Sequence, residues 1–92
     1  MTANTTLYRV DPADVARSLN EARPALDQLD EGELLLDFST VRRIDPAGVR
    51  ALGELAAAVA GREVRLTARA VAVDVYKVFK LSGLAERLSF MS

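Results

Sequence analysis

The hydrophobic positions of this chain switch between two periods. Thr5 to Val10 (TTLYRV) is β-branched and aromatic, which predicts a short strand with Leu7 and Arg9 opposite Tyr8 and Val10. Asp11-Pro12-Ala13-Asp14 then reads as a helix start, followed by Val15, Leu19, Ala22, Leu26 and Leu29 along one helical face. Pro24 falls inside that pattern and predicts a kink or a separate last turn. Leu34 to Phe38 (LLLDF) is apolar at odd and even positions alike, as expected of a strand covered on both faces by helices.

A polar connector, Ser39 to Arg43, leads to a helix predicted from Asp45-Pro46 to Gly61. Asp45 can cap free backbone N–H groups, and Pro46 at the first helical position has a suitable φ and no N–H to leave unpaired. Val49, Leu52, Leu55, Ala56 and Val59 form the inward stripe, with Arg50 and Glu54 pointing out. Another side holds only small residues, Gly53, Ala57 and Ala60, which would admit a second backbone, either a neighbouring helix of this chain or a partner.

Glu63 to Thr67 alternates as a strand, with Val64 and Leu66 inward. The next helix is predicted over Ala70 to Leu81, burying Val71, Val75, Val78 and Phe79. Val73, Tyr76, Lys77 and Lys80 lie on its other side, either a solvated face or a modest partner patch. Ser82-Gly83 stops it, and Leu84 to Leu88 makes a last turn before Phe90. Strand and helix alternate at βαβ spacing, which predicts an α/β fold, a mainly parallel sheet and right-handed crossovers. Residues 1–92 read as a single domain.

Composition narrows the chemistry more than the fold. With no cysteine and no histidine, the chain lacks the usual zinc ligands, thiol nucleophiles and imidazole bases. Its net charge of −1 gives no footprint for nucleic acid. No apolar run approaches the length of a membrane span, and the opening residues do not resemble a secretion signal, so a cytoplasmic protein without direct membrane insertion is expected.

Ligands of open α/β sheets gather at the carboxyl ends of the strands, where the Asp45 helix starts. Asp45-Pro46-Ala47-Gly48 offers no nucleophile, glycine-rich cradle or ligand cluster there. Asp37 and Asp45 are the acids nearest that end, and each has a simpler task, at a strand end and a helix cap. The expectation is therefore recognition without catalysis, and no cofactor.

Three motifs, in order and at the right distances, resemble the STAS domain: L-L-L-D-F-S (Leu34 to Ser39), I-D-P-A-G-V (Ile44 to Val49) and V-F-K-L-S-G-L (Val78 to Leu84). The resemblance covers about residues 34–88 and implies a STAS-type fold with about four strands and helices packed against the sheet. In the anti-sigma factor antagonists of this family, the positions of Pro46 and Ala47 typically carry hydroxyls, one of which is phosphorylated. Here neither residue can accept phosphate. The usual opening pair of strands is also reduced to one clear strand.

The resemblance implies a protein-binding module rather than an enzyme. Its contact residues would be Asp45, Pro46, Ala47, Gly48, Arg50, Gly53, Glu54 and Ala57, and its partner a kinase-like anti-sigma factor in bacterial regulatory signalling. Asp45 would fix the helix start, Gly48 and Gly53 would permit close approach, and Arg50 would supply a charge for pairing. The chain is also similar to the small STAS subunits of phospholipid-trafficking ABC transporters, through V-R-R-I-D (Val41 to Asp45) and V-Y-K-V-F-K-L (Val75 to Leu81). That branch implies support of an ATPase subunit with no phosphorylation. Homodimerisation is left open by both.

Overall fold

The computed structural model describes residues 5–91. Strand β1 (Thr5–Arg9), helix α1 (Val15–Asp27), strand β2 (Glu31–Asp37), helix α2 (Pro46–Val59), strand β3 (Glu63–Arg69) and helix α3 (Val73–Leu81) follow in turn. A 3₁₀ turn (Leu84–Glu86) and a short strand β4 (Ser89–Met91) complete the chain. The sheet order is β1-β2-β3-β4 with every pairing parallel.

Consecutive parallel neighbours joined by right-handed crossovers place every connecting helix on the same face. The core follows that geometry. Leu34, Leu36, Phe38, Val64, Leu66 and Ala68 from the sheet form one cluster with Leu19, Leu26, Leu52, Leu55, Val75 and Phe79 from the helices. Leu35 is buried but stands outside this cluster. The expectation that β2 is covered by helices on both faces is thus corrected.

On the helix-free face, register aligns Leu7, Leu35 and Thr67, and beside them Arg9, Asp37 and Arg69. Leu35, Asp37 and Thr67 are nonetheless buried there. The Thr67 hydroxyl donates to Glu33 at 2.5 Å, and Arg9 lies 3.9 Å from Asp37. Continuous apolar patterning in β2 therefore reflects a polar-edged layer on one side and a helical layer on the other.

Local chemistry sets the helix boundaries. Asp14 caps α1 by accepting from Arg17 N, whereas Asp11 accepts from Ala13 N two residues on and so makes a turn ahead of the helix. The predicted helix start at Asp11 thus shifts to Val15. Pro24 neither breaks nor divides α1, which runs unbroken to Asp27 with Pro24 on its exposed side. Helix α3 begins at Val73 rather than Ala70, because Ala70 adopts a left-handed φ of 56°. Residues 89–91, read only as following a last turn, add the fourth strand.

Candidate functional site: the paired amino ends of α1 and α2

Parallel strands with helices on one face bring the amino ends of successive helices to the same end of the sheet. Here α1 and α2 pack side by side. Between their first turns lies a cleft of about 210 Å³ lined by Pro12, Ala13, Asp14, Val15, Arg43 and Asp45. Asp45 Oδ1 accepts from Gly48 N at 2.8 Å, and Asp14 Oδ1 accepts from Arg17 N at 3.2 Å. Both helix ends are thus occupied by their own carboxylates. A free helix end would attract phosphate; these two, each already facing a negative oxygen, would not.

Gly48 is required for the corner to close. A Cβ at this position would lie 2.8 Å from Ile44 Cγ1 and 3.2 Å from Val15 Cγ1. The close approach that this glycine permits is therefore between α2, its own leading loop and the start of α1. Gly48 is buried, while Asp45, Pro46, Ala47 and Arg50 are exposed around it.

The small-residue side of α2 divides in two. Gly53 is half-buried, with Leu84 Cδ2 3.8 Å from where its Cβ would be, so the 3₁₀ turn of this same chain covers it. Ala57, Ala60 and Glu54 remain exposed. The structure thus gathers Asp45, Pro46, Ala47 and Arg50 at one corner and leaves Glu54 and Ala57 further along α2. Sequence reasoning missed Pro12, Ala13, Asp14 and Arg43 as neighbours of that corner. The signal was available: the repeated Asp-Pro-Ala, combined with parallel crossovers, already places both turns at one sheet end.

At the carboxyl end of β2, the acidity of Asp37 is clearly moved. Its carboxyl is held below the ordinary aspartate value, chiefly by the backbone N–H of Ser39 at 2.9 Å and then by the Ser39 hydroxyl. Arg69 and Arg9 add to this and burial opposes it. An aspartate held ionised in this way anchors the connector Ser39 to Arg43 and is a poor proton donor at neutral pH. Among the described residues, no three Asp or Glu side chains converge as a metal site. The corner can present charge and shape to a partner; its side chains supply no nucleophile.

A family model described as "Mlab, STAS domain" matches residues 9–91. The match takes in three of the four strands, β2 to β4, and all three helices: the chain belongs to the STAS-domain family. Among solved structures, it is similar to a sulfate transporter family protein from Wolinella succinogenes, with a TM-score of 0.75 and 24% identity. The alignment covers 94% of this chain and 75% of that one, and the likeness is one of fold. Among curated proteins, none matches. Family membership agrees with the sequence motifs, and the four-stranded parallel sheet agrees with the expected architecture. Among the described residues, no helix is long and apolar enough to cross a membrane.

Proposed function

We propose that this chain is a non-catalytic docking module of the anti-sigma factor antagonist kind, acting in the bacterial cytoplasm and permanently competent to bind. The observation that carries the reading is the α2 corner itself. Asp45, Pro46, Ala47 and Arg50 are exposed around a buried Gly48, on a helix start fixed by a cap and a proline, with no hydroxyl at positions 46 and 47. A rigid corner binds with little ordering cost. Lacking a phosphoacceptor there, it cannot be released by adding charge at those positions. The partner would be a kinase-like anti-sigma factor whose docking surface meets Arg50 and the exposed run of α2 through Glu54 and Ala57.

A second reading, a small STAS subunit that supports the ATPase of a phospholipid-transport ABC transporter, is favoured by the family description and by Val75 to Leu81. It uses the same corner and equally needs no hydroxyl. Affinity purification of the tagged chain from its own cells, alongside Ala47→Arg and Ala57→Arg variants, tests both. Both sites are exposed, so arginine is accommodated without repacking. Recovery of a kinase-like regulator, lost in the variants, supports the first reading; recovery of an ATPase with a permease supports the second. Partners retained unchanged by both variants would remove the α2 corner as the interface.

A further inference from the structure

At the β4 edge of the sheet, the β3–α3 junction and the first turns of α3 frame an open groove of about 630 Å³. Ala70, Val71, Val73, Tyr76, Phe90 and Met91 line it. Four of these are exposed large side chains: Val73 at 70%, Met91 at 48%, Tyr76 at 40% and Phe90 at 38%. Single exposed apolar residues are ordinary, but four around one groove form a patch. Its aromatics are also held from beneath. Tyr76 meets Phe90 edge-on at 5.2 Å, and Phe90 leans on Phe79 at 6.3 Å, itself fully buried against Phe38. A partner would therefore meet side chains already fixed in place, which lowers the entropy cost of binding.

One wall of the groove is a free backbone edge. Met91 O accepts from Ala70 N at 3.1 Å, so Met91 turns its polar backbone toward β3. By strand alternation the N–H and C=O of Phe90 turn outward, where β4 has no neighbour in the sheet among the described residues. An added strand would find one donor and one acceptor waiting beside an apolar slot.

Beside the groove, the exposed side of α3 carries two lysines. Helical spacing puts Val73, Tyr76, Lys77 and Lys80 on the exposed side of α3, with Asp74 turned to its far flank. Neither lysine has an ion-pair partner among the described residues. From this juxtaposition we infer that the groove between α3 and β4 is a second docking surface. It takes an extended, acidic peptide segment of a protein partner, with one bulky apolar side chain seated among Val73, Tyr76 and Phe90. The charge argues against a second copy of this chain, because a two-fold contact would set Lys77 and Lys80 against their own equivalents. The concave slot and the free backbone edge favour a peptide over a flat anionic membrane.

The test is an array of short immobilised peptides, each with a central phenylalanine among valine and threonine and with either glutamate or lysine at both ends. Labelled full chain is expected to bind the glutamate-ended peptides about tenfold better than the lysine-ended ones. The Lys77→Glu/Lys80→Glu double variant, altered only at exposed positions, should reverse that preference. Replacing the central phenylalanine by serine, or N-methylating the peptide backbone, should abolish capture. Ala47→Arg should leave it unchanged, which separates this surface from the α2 corner. The proposal is overturned by absence of capture, by indifference to peptide charge, or by a double variant that does not reverse the preference. Co-flotation with phosphatidylglycerol vesicles without peptide capture would assign the face to lipid and overturn it. So would a sedimenting dimer that Val73→Lys abolishes, which would assign the groove to a second copy.

Discussion

At the scale of single residues, two glycines on the same helix have opposite roles. Gly48 is squeezed between Ile44, Asp45 and Val15, whereas Gly53 has only Leu84 at ordinary contact distance. Gly48→Ala should therefore destabilise the fold by about 1–3 kcal/mol through overpacking. Gly53→Ala should stabilise it by about 0.5–1 kcal/mol, since alanine is the better helix former and the space is free. Urea midpoints of the two variants check the contrast. Asp37 makes a prediction of different kind. Its folded-state acidity is strengthened by Ser39, Arg69 and Arg9, so the ionised form stabilises the native state. That contribution is complete above the ordinary aspartate value and is lost as pH falls through the lower folded-state value. Asp37→Asn should thus be less stable than the native chain at neutral pH, with the gap narrowing at a pH well below the ordinary aspartate value. Equal gaps at both pH values would show that Asp37 acts by shape alone.

At the scale of elements, the two Asp-Pro-Ala sequences show how far local pattern reaches. Around Asp45 the pattern gives the helix start directly, because cap, N1 proline and first turn are all local. Around Asp11 the same tripeptide ends in a turn, since Asp14 offers a second cap three residues later and Val15 must reach the core. The buried Ser18 hydroxyl then receives Asp11 N at 2.9 Å and fixes the turn against the helix, a bond between residues seven apart that the tripeptide itself does not encode. Replacing Asp14 or Asp45 by alanine should each cost about 1 kcal/mol in thermal or urea unfolding. Asp11→Ala should cost clearly less, because its turn is exposed and still held by Ser18. A larger loss at Asp11 than at Asp14 would return the helix start to the earlier aspartate. Pro24 was misleading for a related reason: it and Asn20, whose carbonyl loses its helical donor, lie on the exposed side, and packing of Ala22 and Leu26 holds the helix together.

At the scale of the whole molecule, the alternation of periods was enough to read a parallel α/β sheet, and the three motifs were enough to read the family. What pattern could not give was sidedness and the last strand. Strand order is a long-range property, and a three-residue β4 carries almost no periodic signal. The α2 corner was legible because its chemistry is local, Arg43 included, while the neighbouring Asp14 comes to it only through the crossover between β1 and β2. Sidedness can be measured with two adjacent leucines. Leu36 is completely buried in the helix-facing core, and Leu35 is nearly as buried on the other face, among Leu7, Thr67 and the flanking charged side chains. Burial alone would give the two equal weight. Layering does not: a hole under helices α1 and α2 cannot close without moving them, whereas long side chains on an open sheet face can collapse over a smaller residue. Leu36→Ala should therefore cost about 3–5 kcal/mol and Leu35→Ala roughly 1–2 kcal/mol. Equal losses in urea unfolding would mean that something as rigid as a helical layer covers the Leu35 face in solution, and that the sheet is two-sided after all.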